Sequence, residues 1–531
     1  MKTFARASLV VLALTLSGSA PTAQKTVDLD AVTIADLNAA MANGTVTSER
    51  LTQMFLARIE AYDRKGPALR SVIAVNPKAL DTARAMDAER KAKGPRGPFH
   101  GIPIVLKDNI DTADMATTGG SLLLEGSVPP DDAFVVKKLR AAGAVIVAKV
   151  NLSEFASGAA HSSLGGQILN PHDLTRSPSG SSGGTGASIA AAFAMAGLGT
   201  DTGGSVRGPS TANGIAGLKT TMGLVSRDGV IPLALSFDTV GPMARHVRDV
   251  AAMLNVIAGA DPADASTKAS AGRTTDYTQA LKADALKGTR LGIARDFMGQ
   301  DGDVDWVMEA SLDAMRKQGA TIVDVRVPKW LLDAKGEYYN AIRYPEFVVQ
   351  VADYLETLDA KYPKTIADLI DRARGVNALR GDGAGPNPGR WSLLVREQGS
   401  GTVGAYQYTS VRDHALPLVR AVLNGMLEAD KLDAIVYPTA SRRPSQISAP
   451  PEPPGGAASS GSNLANLSGF PDLIVPAGFT TDDLPVGISF LGPAFSEARL
   501  LAIGYSFEQA TKARRLPVHT PLRAGDTVAV P

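Results

Sequence analysis

Residues able to do acyl chemistry stand at three places in this chain: a lysine that closes an apolar run and two serines set among glycines. Lys107 ends the run Gly101-Ile102-Pro103-Ile104-Val105-Leu106-Lys107-Asp108-Asn109. Apolar residues on both pleat faces predict a strand buried inside a sheet. In open parallel sheets, ligands bind outside the carboxyl ends of the strands. A lysine held there against apolar walls loses hydration, which lowers its pKa toward neutrality. A neutral amine is a general base that needs no histidine. The plainer reading is a solvated lysine at a strand end.

The serines lie between Ser177 and Lys219, where Gly180-Ser181-Ser182-Gly183-Gly184 and Gly203-Gly204-Ser205 bracket an apolar, small-residue segment. Glycine beside a hydroxyl lets the backbone approach a ligand and aim N–H groups at an anion. Gly203-Gly204-Ser205 follows Gly199-Thr200-Asp201-Thr202 and presents successive N–H groups beside a serine, the parts of a nucleophile and an oxyanion hole. Ala187–Ala196 is expected to form a buried helix that folds the two clusters together. Ser181 could then bridge Ser205 and Lys107 and pass a proton between them. Taken alone, a Gly/Ser-rich run is more often a flexible linker.

The elements that must position these residues follow from the rest of the chain. At 531 residues it exceeds the size at which one hydrophobic core stops growing. It is 44% hydrophobic and 20% charged, the make-up of an ordinary globular protein. A net charge of +1, with Lys and Arg scattered, offers no footprint for nucleic acid or an anionic membrane. The absence of cysteine excludes thiol catalysis, disulfides and thiolate metal sites. His100, His161, His172, His246, His414 and His519 lie far apart without an HExxH or HxH pattern, so no metal site is expected.

Lys2 and Arg6 precede an apolar run, Ala7 to Leu16, and then the small residues Ser17 to Ala23. That order is a secretory signal peptide over 1–23, cleaved between Ala20 and Gln24. The run is too short to span a bilayer, and no later stretch is long and apolar enough. A periplasmic or secreted protein is expected.

Strand and helix patterns alternate from Ser71 onward: a strand at Ser71–Val75, a helix to Lys93, the Lys107 strand, a helix at Asp131–Ala142, a strand at Val145–Lys149 and a helix beginning at Leu152–Ala156. Further strands are read at Arg290–Arg295, Thr321–Val325, Ala434–Tyr437, Leu473–Pro476 and Val486–Leu491, and helices at Asp303–Gln318 and Glu497–Lys512. Such alternation predicts βαβ units. The expected fold is α/β, a large mixed, mostly parallel central sheet covered by helices on both faces. Residues 24–531 form one domain on this reading, with a mainly helical insertion at about 330–425. Arg442–Ser462, rich in Pro, Gly and Ser, is an exposed loop.

These motifs together resemble the amidase signature family. The likeness runs through His100-Gly101-Ile102-Pro103 to Lys107-Asp108, Asn170-Pro171, both Gly/Ser clusters with Val206-Arg207, Gly214 to Lys219, and Leu484-Pro485-Val486-Gly487. It covers nearly the whole mature chain. The resemblance implies hydrolysis of a carboxamide C–N bond of a small-molecule or peptide substrate, without cofactor or metal. It implies Ser205 as nucleophile, Ser181 as a bridging serine held through a cis peptide, and Lys107 as terminal base. The N–H groups of Thr202, Gly203, Gly204 and Ser205 would form the oxyanion hole, with Asp201 and Arg207 in support. Met115 to Leu122 and Gly223 to Gly229 are worded most like bacterial peptide amidases, which remove C-terminal amides. Ser179, Thr185 and Gly208 depart from the family pattern, and Gly208 with the 442–462 loop bears on substrate size.

Other readings stay open on residues alone. Gly180-x-Ser182-x-Gly184 matches the nucleophile elbow of α/β-hydrolases, with His414 or His519 as base, but no strand precedes it. GxxxxGK[ST] is absent, which disfavours a phosphate loop. A binding protein on the same scaffold would not need Lys107, Ser181 and Ser205 together. A tRNA-dependent amidotransferase component shares the signature, and the export signal and near-neutral charge argue against it.

Overall fold

The computed structural model describes residues 25–448 and 461–531. The segment read as a signal peptide and much of the 442–462 loop lie outside the described residues. Eleven strands form the central sheet. In spatial order they are Thr321–Val325, Arg290–Ala294, Ala434–Pro438, Pro485–Leu491, Asp472–Phe479, Ala216–Lys219, Thr239–Ala244, Ala196–Asp201, Pro103–Lys107, Val145–Val150 and Val72–Val75. The sheet is mixed, as expected. Its parallel pairings gather in two blocks, 103–107 with 145–150 and 196–201, and 290–294 with 321–325 and 434–438. Antiparallel strands join the blocks.

Alternate residues of these strands enter different cores, which is the physical content of helices on both faces. Ile104 and Leu106 belong to the core that also holds residues of the helices Val247–Ile257 and Glu497–Thr511, whereas Val105 belongs to the core that holds Ile189 and Ala190 of Gly183–Ala190. Val436 and Tyr437 divide in the same way. Strands buried on both faces need apolar residues at every position, and Pro103–Lys107 is buried throughout. Between Thr321–Val325 and Ala434–Pro438 the chain forms the helices Lys329–Glu356, Ile366–Arg374, Pro388–Gln398, Tyr406–Ser410 and Leu416–Ala429.

Two local expectations need correction near the site. The buried helix expected over 187–196 runs instead over Gly183–Ala190. Ala192 adopts a φ of 53° and turns the chain, and strand Ala196–Asp201 begins where the helix was expected to end. The helix expected to begin at Leu152–Ala156 is only a 3-10 turn, because Phe155 and Ala156 take φ of 52° and 57°. That turn brings Ser153 against the first Gly/Ser cluster, where its N–H donates to Ser181 O at 3.0 Å.

Candidate active site

Strands Pro103–Lys107 and Ala196–Asp201 run parallel with Leu106 opposite Leu198, so both deliver their last residues to the same edge of the sheet. Lys107 is fully buried there. Its Nζ donates to Ser181 Oγ at 2.6 Å, to Thr200 Oγ1 at 2.7 Å and to the Thr200 carbonyl at 3.4 Å. Burial lowers its pKa from 10.5 to about 7, against the opposing pull of Asp201 and Asp238. Desolvation disfavours the ammonium, so a neutral amine is accessible near neutral pH. Asn109 Nδ2 donates to Thr200 Oγ1 at 3.1 Å and fixes the second hydroxyl.

The Gly180–Ser181 peptide is cis. Ser182, next in the chain, donates its backbone N–H to the Ser205 carbonyl at 3.1 Å, which ties the two Gly/Ser clusters together. The Ser182 hydroxyl is buried between the Thr200 carbonyl, 3.2 Å away, and the Thr200 N–H, 3.3 Å away. Among the described residues no histidine bonds to it, so the elbow constellation of Ser182 with His414 or His519 is not assembled.

Asp201 organises the second cluster. Its Oδ1 accepts from Gly204 N–H at 2.9 Å and Asn466 Nδ2 at 3.0 Å, and its Oδ2 from Val206 N–H at 2.9 Å. Arg207 closes on both oxygens at 3.1 Å and on Asp472 at 3.1 Å. Burial resists ionisation of Asp201, but the Arg207 guanidinium holds its carboxyl well below the usual carboxylate range. Buried charges persist only when paired and fully bonded, and Asn466, Asp472 and Tyr437 complete this network. The bond to Asp201 withdraws Gly204 from the four donors expected for an oxyanion hole. The N–H groups of Thr202, Gly203 and Ser205 have no acceptor among the described residues. Thr202 is held by its hydroxyl, which donates to Asp238. Along residues 201–210 only Gly203, Ser205 and Gly208 reach solvent, so the candidate nucleophile faces outward while its support is buried.

Sequence reading missed the roof of this loop. Tyr339, on helix Lys329–Glu356, stacks on Phe237 with ring centroids 5.4 Å apart. Its hydroxyl lies so close to Gly203 that a Cβ there would meet it at 2.7 Å, which requires glycine. That hydroxyl has no hydrogen-bond partner among the described residues, and burial pushes its pKa up, so it stays a donor. Thr200, Asn466 and Asp472 were also unassigned. No local pattern marks them, since each acts across long sequence separation. No cluster of metal-ligating side chains occurs among the described residues, and no helix among them is long and apolar enough to cross a membrane.

Comparison with known proteins agrees with this architecture. The family model described as Amidase matches residues 50–501. A glutamyl-tRNA(Gln) amidotransferase component from Chloroflexus aurantiacus is 37% identical over 491 residues, covering 91% of this chain and 98% of the relative. The structure of the native peptide amidase from Stenotrophomonas maltophilia superposes with a TM-score of 0.82 at 39% identity, over 92% of this chain and 99% of that one. An amidase family protein from Bacillus anthracis gives 0.82 at 30% identity, with 92% of each chain covered. The chain belongs to the amidase family.

Proposed function

We propose that this amidase-family hydrolase cleaves linear carboxamides, peptide C-terminal amides among them, through a relay of Lys107, Ser181 and Ser205. The observation that carries the reading is the 2.6 Å contact between a desolvated lysine and a serine hydroxyl. Neutral Lys107 takes the Ser181 proton as Ser181 takes that of Ser205, and Ser205 Oγ bonds to the carbonyl carbon. The free N–H groups of Thr202, Gly203 and Ser205 receive the developing oxyanion, and the Tyr339 hydroxyl adds a donor from above. The proton returns through Ser181 to the departing nitrogen, the C–N bond breaks, and an acyl ester remains on Ser205. Water, deprotonated by the same relay, releases the acid and restores Ser205. The charge and apolar order of residues 1–23 support action outside the cytoplasm.

The peptide-amide reading is supported by the peptide amidase neighbour at 39% identity. A relative named as part of an amidotransferase makes free glutamine the informative competitor. The test offers the purified protein a peptide amide, an aryl amide and glutamine, and maps the adduct of a fluorophosphonate probe. Cleavage of the peptide amide with the adduct on Ser205 is expected. Cleavage of glutamine alone would move the reading to ammonia supply, and an adduct on Ser182 would overturn the relay.

A further inference from the structure

A cleft of about 370 Å³ opens beside the Gly/Ser clusters, between Gly158–Ala160, Ser179–Gly180, Gly208 and the segment 440–445. Two of its lining residues adjoin the proposed relay directly. Gly180 precedes Ser181, and Gly208, whose N–H donates to the Gly204 carbonyl at 2.8 Å, lies one helical turn beyond Ser205. Ser205 and Gly208 both reach solvent on the same stretch, and the cleft starts at Gly180 and Gly208, close in sequence to Ser181 and Ser205, with Ser205 itself outside its lining. Gly208 leaves that start open. Its backbone φ is one that any residue adopts, and the nearest atom to an added Cβ is the Ser179 hydroxyl at 2.6 Å.

We propose that Gly208 and Ser179 floor a subsite for the side chain next to the scissile carbonyl, and that Gly208 sets its upper size. The proposal rests on the amidase reading. When a primary carboxamide is cleaved the leaving group is ammonia, so every large part of the substrate is acyl and must find room beside Ser205. The lining is mostly glycine, alanine and hydroxyl residues, and both arginines in its wall are engaged, Arg443 by Asp301, Asp303 and Asp482 and Arg442 by Gln300 at 3.0 Å, which suits a bulky uncharged group. Filling the floor must discriminate by size, because a pocket changed by one or a few methyl groups shifts selectivity by about 10- to 200-fold.

The experiment compares N-acetylphenylalaninamide with N-acetylglycinamide in wild type, Gly208→Ala and Gly208→Val. Gly208→Val is also made with Ser179→Gly, which removes the hydroxyl in the way of the new Cβ and protects folding. The expected result is a loss in kcat/KM for the phenylalanyl amide of about 30-fold or more. The glycyl amide changes less than about threefold, and Gly208→Ala falls between. Equal losses on both amides, or no change on either, would overturn the proposal. The labelling rate of Ser205 by benzyl- and methyl-substituted phosphonates gives the same ratio without amide turnover. If wild type cleaves neither amide the amidase reading fails, and the labelling ratio still decides whether Gly208 gates a size-selective cleft.

Discussion

Lys107 and Lys219 are near twins in the sheet. Each closes a short strand buried along its whole length, Pro103–Lys107 and Ala216–Lys219. The chain of pairings between them makes the two strands point the same way, so both lysines sit at one edge of the sheet. Both are fully buried, and burial lowers both pKa values to about 7. Their partners differ. Lys107 Nζ bonds to the hydroxyls of Ser181 and Thr200, whereas Lys219 Nζ bonds to the carbonyls of Thr220, at 3.0 Å, and Phe470, at 2.8 Å. A hydroxyl accepts one proton while donating another, and a backbone carbonyl only accepts. A depressed pKa therefore does not make a base. On the proposed reading, a depressed pKa beside a hydroxyl that can pass a proton does.

The largest expected effect separates the twins by mutation. Lys107→Met should lower kcat for amide hydrolysis by about 10³-fold or more, the range of a lost general base in a cooperating unit. Lys219→Met should leave kcat within about tenfold. The pH dependence sharpens the contrast. Only the neutral amine accepts a proton, so wild-type kcat/KM should fall with decreasing pH below about 7. That acid limb should survive in Lys219→Met. Its disappearance there, measured by initial rates between pH 5 and 9 (about the range in which such a limb is visible), would hand the base to Lys219.

A smaller effect tests the donors around the Lys107 edge, for which the Lys219 edge has no counterpart. Tyr339→Phe removes a hydroxyl over Gly203 while keeping the ring stacked on Phe237. The backbone N–H groups remain, so the loss should be about tenfold in kcat, below the hundredfold or more typical of a principal oxyanion donor. KM should hardly move. A rise in KM with kcat unchanged would make Tyr339 a ground-state contact only.

The twins also show what could be read from the chain beforehand. The apolar run before Lys107 announced a buried strand, because it depends on consecutive residues, whereas the lysine itself read more plainly as solvated than as desolvated until the fold buried it. Gly180 to Gly184 and Gly203 to Ser205 were legible for the same reason, and Asp201 and Arg207 stood beside them. Strand Thr239–Ala244, one of the two that lie between the twins' strands, received no reading, since Gly241 and Pro242 look like a turn. Tyr339, Asn466 and Asp472 come from segments hundreds of residues away in some cases, and only the folded sheet brings them to the loop. The spent N–H of Gly204 is likewise a matter of where the Asp201 carboxylate points.

The smallest effect is one the two lysines should share, and it isolates burial from chemistry. Each has a folded pKa of about 7 against an ordinary 10.5. Between those values the unfolded chain binds a proton that the folded chain does not, so stability rises with pH across that window and is lost as pH falls toward 7. Below about 7 both states are protonated and the difference is constant. Removing either lysine should reduce this rise by up to one proton, about 1.4 kcal/mol per pH unit. Urea unfolding at several pH values between 7 and 10 (roughly the window named) should therefore show the same flattening for Lys107→Met and Lys219→Met. Equal flattening with unequal kcat would establish that the sheet treats the two amines alike and that the serine and threonine hydroxyls alone make one of them a base. Flattening for Lys107→Met only would mean that Lys219 is charged in the fold, held by Asp201, Asp472 and Glu497 nearby, and the comparison would then rest on charge rather than on relay.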